Sequence, residues 1–178
     1  LNTVYFQIDE SNKAPRRTLE MISELLRYQL YGGNQKVSIL QEIDYLKTYI
    51  ALRKLRMSER LRLRVEFPPE LNELNIYPLL FLPLVENAFK YVGGDYQLDI
   101  IMKWENNRIS LFIRNSIPEL SAEDEALRKS VDERQRKGIG LVNLRRRLSL
   151  LYPNKHRLET RKEETEFVAE LMIEIEDI

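Results

Sequence analysis

Cysteine is absent from the 178 residues. That removes disulfides, thiolate nucleophiles and cysteine-based zinc sites, and it fits a reducing compartment. Histidine is nearly absent: His156 is the only one, and one imidazole without clustered partners makes a poor metal site. Neither charge is in excess, with Lys+Arg and Asp+Glu at 28 each, so the general electrostatic footprint of a nucleic-acid binder is missing. The longest apolar run, Pro78–Val85, falls far short of the roughly 20 residues that a spanning helix needs. The opening "LNTVYFQIDE" has no basic n-region, so no signal peptide is visible. It also lacks Met, which points to a chain that begins inside a longer protein. There is no Walker A sequence and no complete Gly-x-Gly-x-x-Gly, which disfavours the common nucleotide folds.

Hydrophobic content of 43% is enough for a real core and too high for disorder. Leu19, Ile22, Leu25, Leu26 and Leu30 repeat at helical spacing behind the cap candidates Asp9 and Ser11 and a first-turn Pro15. Gly32 and Gly33 suit a stop. A second helix opens at Ser38, with Gln41 completing a capping box and Leu40, Ile43, Leu46 and Ile50 as its stripe. Such a helical hairpin leaves its stripe to pack on a copy of itself or on the rest of the chain. "LRLRVEF", Leu61–Phe67, then alternates apolar and charged residues as a half-buried strand does. A helix over Pro78–Tyr91 follows. "YQLDIIMKW" and "RISLFIRN" read as a hairpin about "ENN", and "HRLET" and "EFVAELMIEI" as a second one after a helix from about Leu141. The order predicts an α+β fold: an N-terminal helical hairpin over 1–58, then an α/β sandwich over 59–178. The sandwich has a mixed, mostly antiparallel sheet with helices on one face.

Three places carry chemistry. In "PLLFLPLVENAFKY" the apolar residues cover nearly the whole helix, yet Glu86, Asn87, Lys90 and Tyr91 interrupt them. Glu86 and Lys90 at i, i+4 can be an ordinary helix pair. A polar row on an otherwise buried helix can also line a cavity, where an amide oxygen suits Mg²⁺, a lysine phosphate, and a carboxylate an attacking group. "GIGL", Gly138–Ile139–Gly140–Leu141, is either a turn or a place where backbone N–H groups and a helix N-terminus meet an anion. Asn115, at the end of "FIRNS", is a turn former or a reader of a purine edge. The run Arg145–Arg147 is a solvated helix face, and His156 a solvated loop residue.

Taken together and in this order, these stretches resemble the Bergerat-fold ATP-binding domain of the GHKL superfamily. "LVENAFKY" resembles its N box and "GIGLVNLRRRL" its second glycine box. More narrowly, "ISELLRY", "EIDYLKTYIALRKLR" and "GIGLVNLRRRLSLLYP" resemble the LytS-type sensor histidine kinases, over nearly the whole chain. The resemblance implies ATP and Mg²⁺ as ligands, with Asn87 on the metal, Lys90 on phosphate and Glu86 in the catalytic position. Gly138 and Gly140 would hold phosphates, with Ile139 and Leu141 beside them, and residues 116–137 would form an ATP lid. Asn115 stands where the family has an Asp that accepts from the adenine amino group. The following "SIPE" lacks the expected glycines, and Tyr91 stands where many relatives have His. "LNT" matches the end of the family's "NPHFLFN", which puts the phosphoacceptor histidine just ahead of Leu1.

The function this implies is the cytoplasmic catalytic core of a membrane-anchored bacterial two-component kinase. It would be a homodimer that passes phosphate from ATP to a histidine and then to a response-regulator Asp, on a regulator of LytTR type. It would bind no nucleic acid and would meet the membrane only through segments outside this chain. The present chain would bind ATP without phosphorylating itself. The alternatives are a nucleotide-independent dimeric scaffold, which the altered "RNSIPE" favours, and a GHKL ATPase doing conformational work, which the kinase-like hairpin disfavours.

Overall fold

A computed structural model of the chain describes residues 2–9, 11–31, 35–69, 71, 74–119 and 139–175. They form two compact units.

The first unit comprises residues 1–58 and 72–79. It contains α1 (Asn2–Gln7), α2 (Lys13–Tyr31), β1 (Val37–Ser38), α3 (Ile39–Lys54) and β3 (Asn75–Ile76). Ahead of α2 the Asp9 carboxylate accepts from the Ser11 N–H and hydroxyl, which hold its pKa below the ordinary value. The capping box at α3 is present: Ser38 Oγ accepts from the Leu40 N–H, and Gln41 Oε1 accepts from the Ser38 N–H. Pairing of β1 with β3 was not foreseen; it is antiparallel, with Val37 opposite Ile76. The stripe on α3 splits. Ile43, Leu46 and Ile50 are buried within the chain, whereas Leu40 is 53% exposed. Gly32 and Gly33 lie outside the described residues.

Between α2 and α3 runs a polar ladder that the sequence did not announce. Glu42 is fully buried, and its Oε2 accepts from the Tyr28 hydroxyl at 2.6 Å and the Leu79 N–H at 2.9 Å. Tyr28 stacks on Tyr45, whose hydroxyl accepts from Gln29. Burial, and then the Glu42 charge, push the Tyr28 hydroxyl pKa well above its ordinary value. Leu79 has φ +59°, a left-handed backbone that costs an L residue about 1 kcal/mol, and the buried carboxylate holds it there.

The second unit comprises residues 59–71 and 80–178. It holds β2 (Arg62–Glu66), α4 (Leu82–Tyr91), β4 (Gln97–Glu105), β5 (Arg108–Ser116), α5 (Ile139–Leu151), β6 (His156–Lys162) and β7 (Glu166–Glu174). The sheet order is β2-β4-β5-β7-β6. Only β2–β4 is parallel; the other three pairings are antiparallel. Asn106 and Asn107, at φ +52° and +59°, form the two-residue turn joining β4 to β5, the left-handed geometry that asparagine tolerates best after glycine. Alternation sorts the faces. Leu98, Ile100 and Met102 of β4, Ile109, Leu111 and Ile113 of β5, and Ala169, Leu171 and Ile173 of β7 are all buried on one face. On that side α4 packs against β4 and β5, and α5 against α4 and β6. The architecture is the expected α+β sandwich with a mixed, mostly antiparallel sheet.

Candidate functional site

Helix α4 is shorter than its apolar run. Residues 78–81 form a turn, and the helix starts at Leu82 with Pro83 in the first turn, where a missing N–H costs nothing. Nor is it buried all round. Leu82, Leu84, Val85, Ala88 and Phe89 face the core, Asn87 and Tyr91 are half-buried, and Glu86 and Lys90 are exposed. The polar residues therefore occupy an open stripe, and neither charged residue of α4 sits in the core. The Lys90 ammonium lies 4.9 Å from the Tyr91 ring centroid, within cation–π range. Because α4 packs against both β5 and α5, this stripe belongs to the element that adjoins the strand ending at Asn115–Ser116 and the helix beginning at Ile139.

Helix α5 opens at Ile139, two residues earlier than the sequence suggested, so Gly140 stands inside its first turn. Its N–H is among those that a helix leaves without an internal partner. A Cβ built on Gly140 meets nothing within 4 Å, so no described protein atom requires a glycine there. Leu141 is half-buried behind it. Gly138 and residues 120–137 of the segment expected to form a lid lie outside the described residues, as does the Ile139 side chain.

Asn115 continues the core-facing file Ile109–Leu111–Ile113, and it is 0% exposed. Its Nδ2 donates to the Ser116 carbonyl at 3.2 Å. No described donor reaches its Oδ1. A buried acceptor left unmade costs about 1–3 kcal/mol, and natural structures rarely carry one without a use.

Two glycines complete the surroundings of Asn115. Ser116 Oγ donates to the Gly93 carbonyl at 2.6 Å and accepts from the Gln97 N–H at 2.9 Å. The Gly93 N–H in turn donates to the Ser116 carbonyl at 3.0 Å. A Cβ on Gly93 would sit 2.9 Å from Pro118 Cδ; one on Gly94, at φ +62°, would sit 3.0 Å from the Ile117 carbonyl oxygen. Gly93 and Gly94 thus allow the chain to pass close to the segment that follows Asn115. In the sequence "VGGDY" looks like an ordinary helix stop, which is why the pair carried no signal.

His156 is the first residue of β6, half-buried, and not in a loop. Its Nδ1 lies 2.7 Å from the Tyr152 carbonyl just beyond the C-terminal end of α5. Arg145 and Arg146 are exposed as expected, Arg147 is half-buried instead, and Arg145 donates to the Leu158 carbonyl. Among the described residues no group of three or more His, Cys, Asp or Glu could hold a metal ion by itself. A divalent ion at Asn87 would share its shell with phosphate and water, the usual habit of Mg²⁺. No described helix is long and apolar enough to cross a membrane.

A family model described as "Histidine kinase" matches residues 1–61. The sensor protein kinase HptS of Staphylococcus aureus (strain USA300) is 26% identical over 163 residues, covering 89% of this chain and 32% of that protein. The chain therefore spans about a third of the length of the curated relatives it matches. Two solved structures share its fold. The mycobacterial sensor histidine kinase MprB superposes with a TM-score of 0.52 at 13% identity, covering 82% of this chain and 99% of that one. Full-length ShkA in complex with AMPPNP gives 0.53 at 13% identity, covering 89% and 35%.

Proposed function

We propose that this chain is the dimerisation and ATP-binding core of a two-component sensor histidine kinase. The observation that carries the reading is the buried, unmet acceptor of Asn115 on the helix-covered face of the sheet, on the strand against which α4 packs. Asn115 Oδ1 accepts from the adenine amino group. The first-turn N–H groups of α5 at Gly140, with Gly138 ahead of it, receive phosphate oxygens at the positive end of the helix. Lys90 adds charge there, Asn87 ligates Mg²⁺, and Glu86 stands beside the reacting phosphate; Tyr91 and Leu141 line the site.

Phosphoryl transfer needs an acceptor in line with the γ-phosphate. His156 is not that acceptor. It lies beyond the far end of α5, whose 13 residues span roughly 20 Å at 1.5 Å each. The acceptor is a histidine outside this sequence, and the phosphate then passes to a response-regulator Asp, with a LytTR-type regulator the partner that the resemblance favours. Exposed Leu26 and Leu30 on α2 and Leu40 on α3 leave apolar surface for a second copy. The sensor protein of which this core is part would be anchored in the membrane through other segments, with this core in the cytoplasm.

Calorimetric titration tests the reading. The chain binds ATP, and Asn87→Ala weakens Mg·ATP by more than it weakens metal-free ATP. Equal losses would remove Asn87 from the metal. Absence of ATP binding by the unmodified chain would sink the whole reading and favour the nucleotide-independent scaffold.

A further inference from the structure

An amide can read a base in two ways, with its oxygen as acceptor or its nitrogen as donor. Which one Asn115 presents depends on its neighbour. One of the two N–H groups of its Nδ2 donates to the Ser116 carbonyl, and Oδ1 is left as the atom without a partner. Turned over, Oδ1 would face that carbonyl, acceptor against acceptor, and Nδ2 would be the buried group without a partner. The Ser116 carbonyl is itself held in place. Ser116 and Gly93 form a reciprocal pair, the Gly93 N–H donating to the Ser116 carbonyl and Ser116 Oγ donating to the Gly93 carbonyl. Gln97 N–H on the same hydroxyl and Ile117 N–H on the Thr165 carbonyl fix the peptide on both sides.

We propose that Ser116 is a specificity-determining positioning residue: it locks the Asn115 amide with its oxygen as the free acceptor, and so selects a base bearing a 6-amino donor over one bearing a 6-oxo group. This rests on the reading of Asn115 as the base contact. Loss of the Ser116 hydroxyl breaks one arm of the reciprocal pair, loosens the hold on the Ser116 carbonyl and so lowers the cost of an amide flip. Both kinds of base then find a partner.

The test titrates the full chain with ATP and with inosine triphosphate, which differs at the 6-position. The unmodified chain prefers ATP. Ser116→Ala lowers the ATP-to-inosine-triphosphate affinity ratio by about fivefold, roughly the worth of one neutral hydrogen bond. Ser116→Thr, which keeps the hydroxyl, retains the preference. A folded Ser116→Ala variant with the unmodified ratio overturns the proposal. If that variant does not fold, the Asn115 side-chain amide protons in the unmodified chain decide by NMR: slow exchange with solvent supports the lock, and rapid exchange overturns it. Failure of the underlying reading appears elsewhere, as no preference for ATP in the unmodified chain, and the proposal then falls with it.

Discussion

Replacing Asn115 by Leu should make the unliganded protein more stable and the ATP-saturated protein less so. Leucine has the same branching at Cγ and continues the file Ile109–Leu111–Ile113. Removing the unmet Oδ1 relieves about 1–3 kcal/mol, and losing the Nδ2 bond costs about 1 kcal/mol. The Ser116 carbonyl is not stranded, because the Gly93 N–H remains on it. The larger side chain gains apolar burial and risks overpacking, terms of about 1–3 kcal/mol each that oppose one another. A net gain of about 1 kcal/mol is expected, which raises the urea midpoint by roughly 0.5 M at an m-value of about 2 kcal/mol/M. Trp104, the only tryptophan, lies on β4 and reports unfolding of this unit by fluorescence. With ATP at 100 times its Kd the unmodified chain gains about 2.7 kcal/mol that the variant does not, so the order of stability inverts. A variant destabilised by more than about 1 kcal/mol without nucleotide would mean that Oδ1 is satisfied after all. Equal protection of both proteins by ATP would mean that the base is read elsewhere.

The Tyr28 hydroxyl pKa is raised in the folded state, so its contribution is fully present below the unfolded value near 10.0 and is lost as pH rises beyond it. Helical circular dichroism should therefore fall above about pH 10, and Tyr28→Phe should flatten that dependence while costing about 1.5–3 kcal/mol at neutral pH, as a bond to a buried carboxylate is lost. An unchanged alkaline profile would exclude the Tyr28–Glu42 bond as its origin. On α3, Leu46→Ala should cost about 2–5 kcal/mol in a denaturant titration and Leu40→Ala within about 0.5 kcal/mol, since Leu46 is 0% and Leu40 53% exposed. Equal costs would indicate that the whole stripe is covered by a second copy.

Where pattern and geometry are coupled by a short-range rule, the sequence was sufficient. Strict alternation marked the strand in Leu61–Phe67, "ENN" marked a hairpin, and Ser38 with Gln41 marked the start of α3. Pairs distant in the chain were not legible. Nothing local says that Glu42 will be buried, since its partners are a hydroxyl on α2 and a backbone N–H at Leu79. The apolar run Pro78–Tyr91 looked like a uniformly buried helix because composition counts side chains without regard to which face they take; the open stripe at Glu86 and Lys90 is a property of the angle at which α4 lies on the sheet. Asn115 was legible as a residue, but its unmet oxygen was not, because that depends on Ser116 and Gly93.

Strand β5 is the middle of the sheet, paired on one side with β4 and on the other with β7, from Arg108 to Ser116. A strand hydrogen-bonded along both edges has no partial opening available to it. Its amides are expected to exchange with solvent more slowly than those of the outer strands β2 and β6. Asn115 is therefore mounted on a strand that is held along both edges. A stranded acceptor on a yielding loop would find water or a neighbour within nanoseconds. On β5 it stays stranded, and the order that a ligand would otherwise impose on its binding site is already there before the ligand arrives.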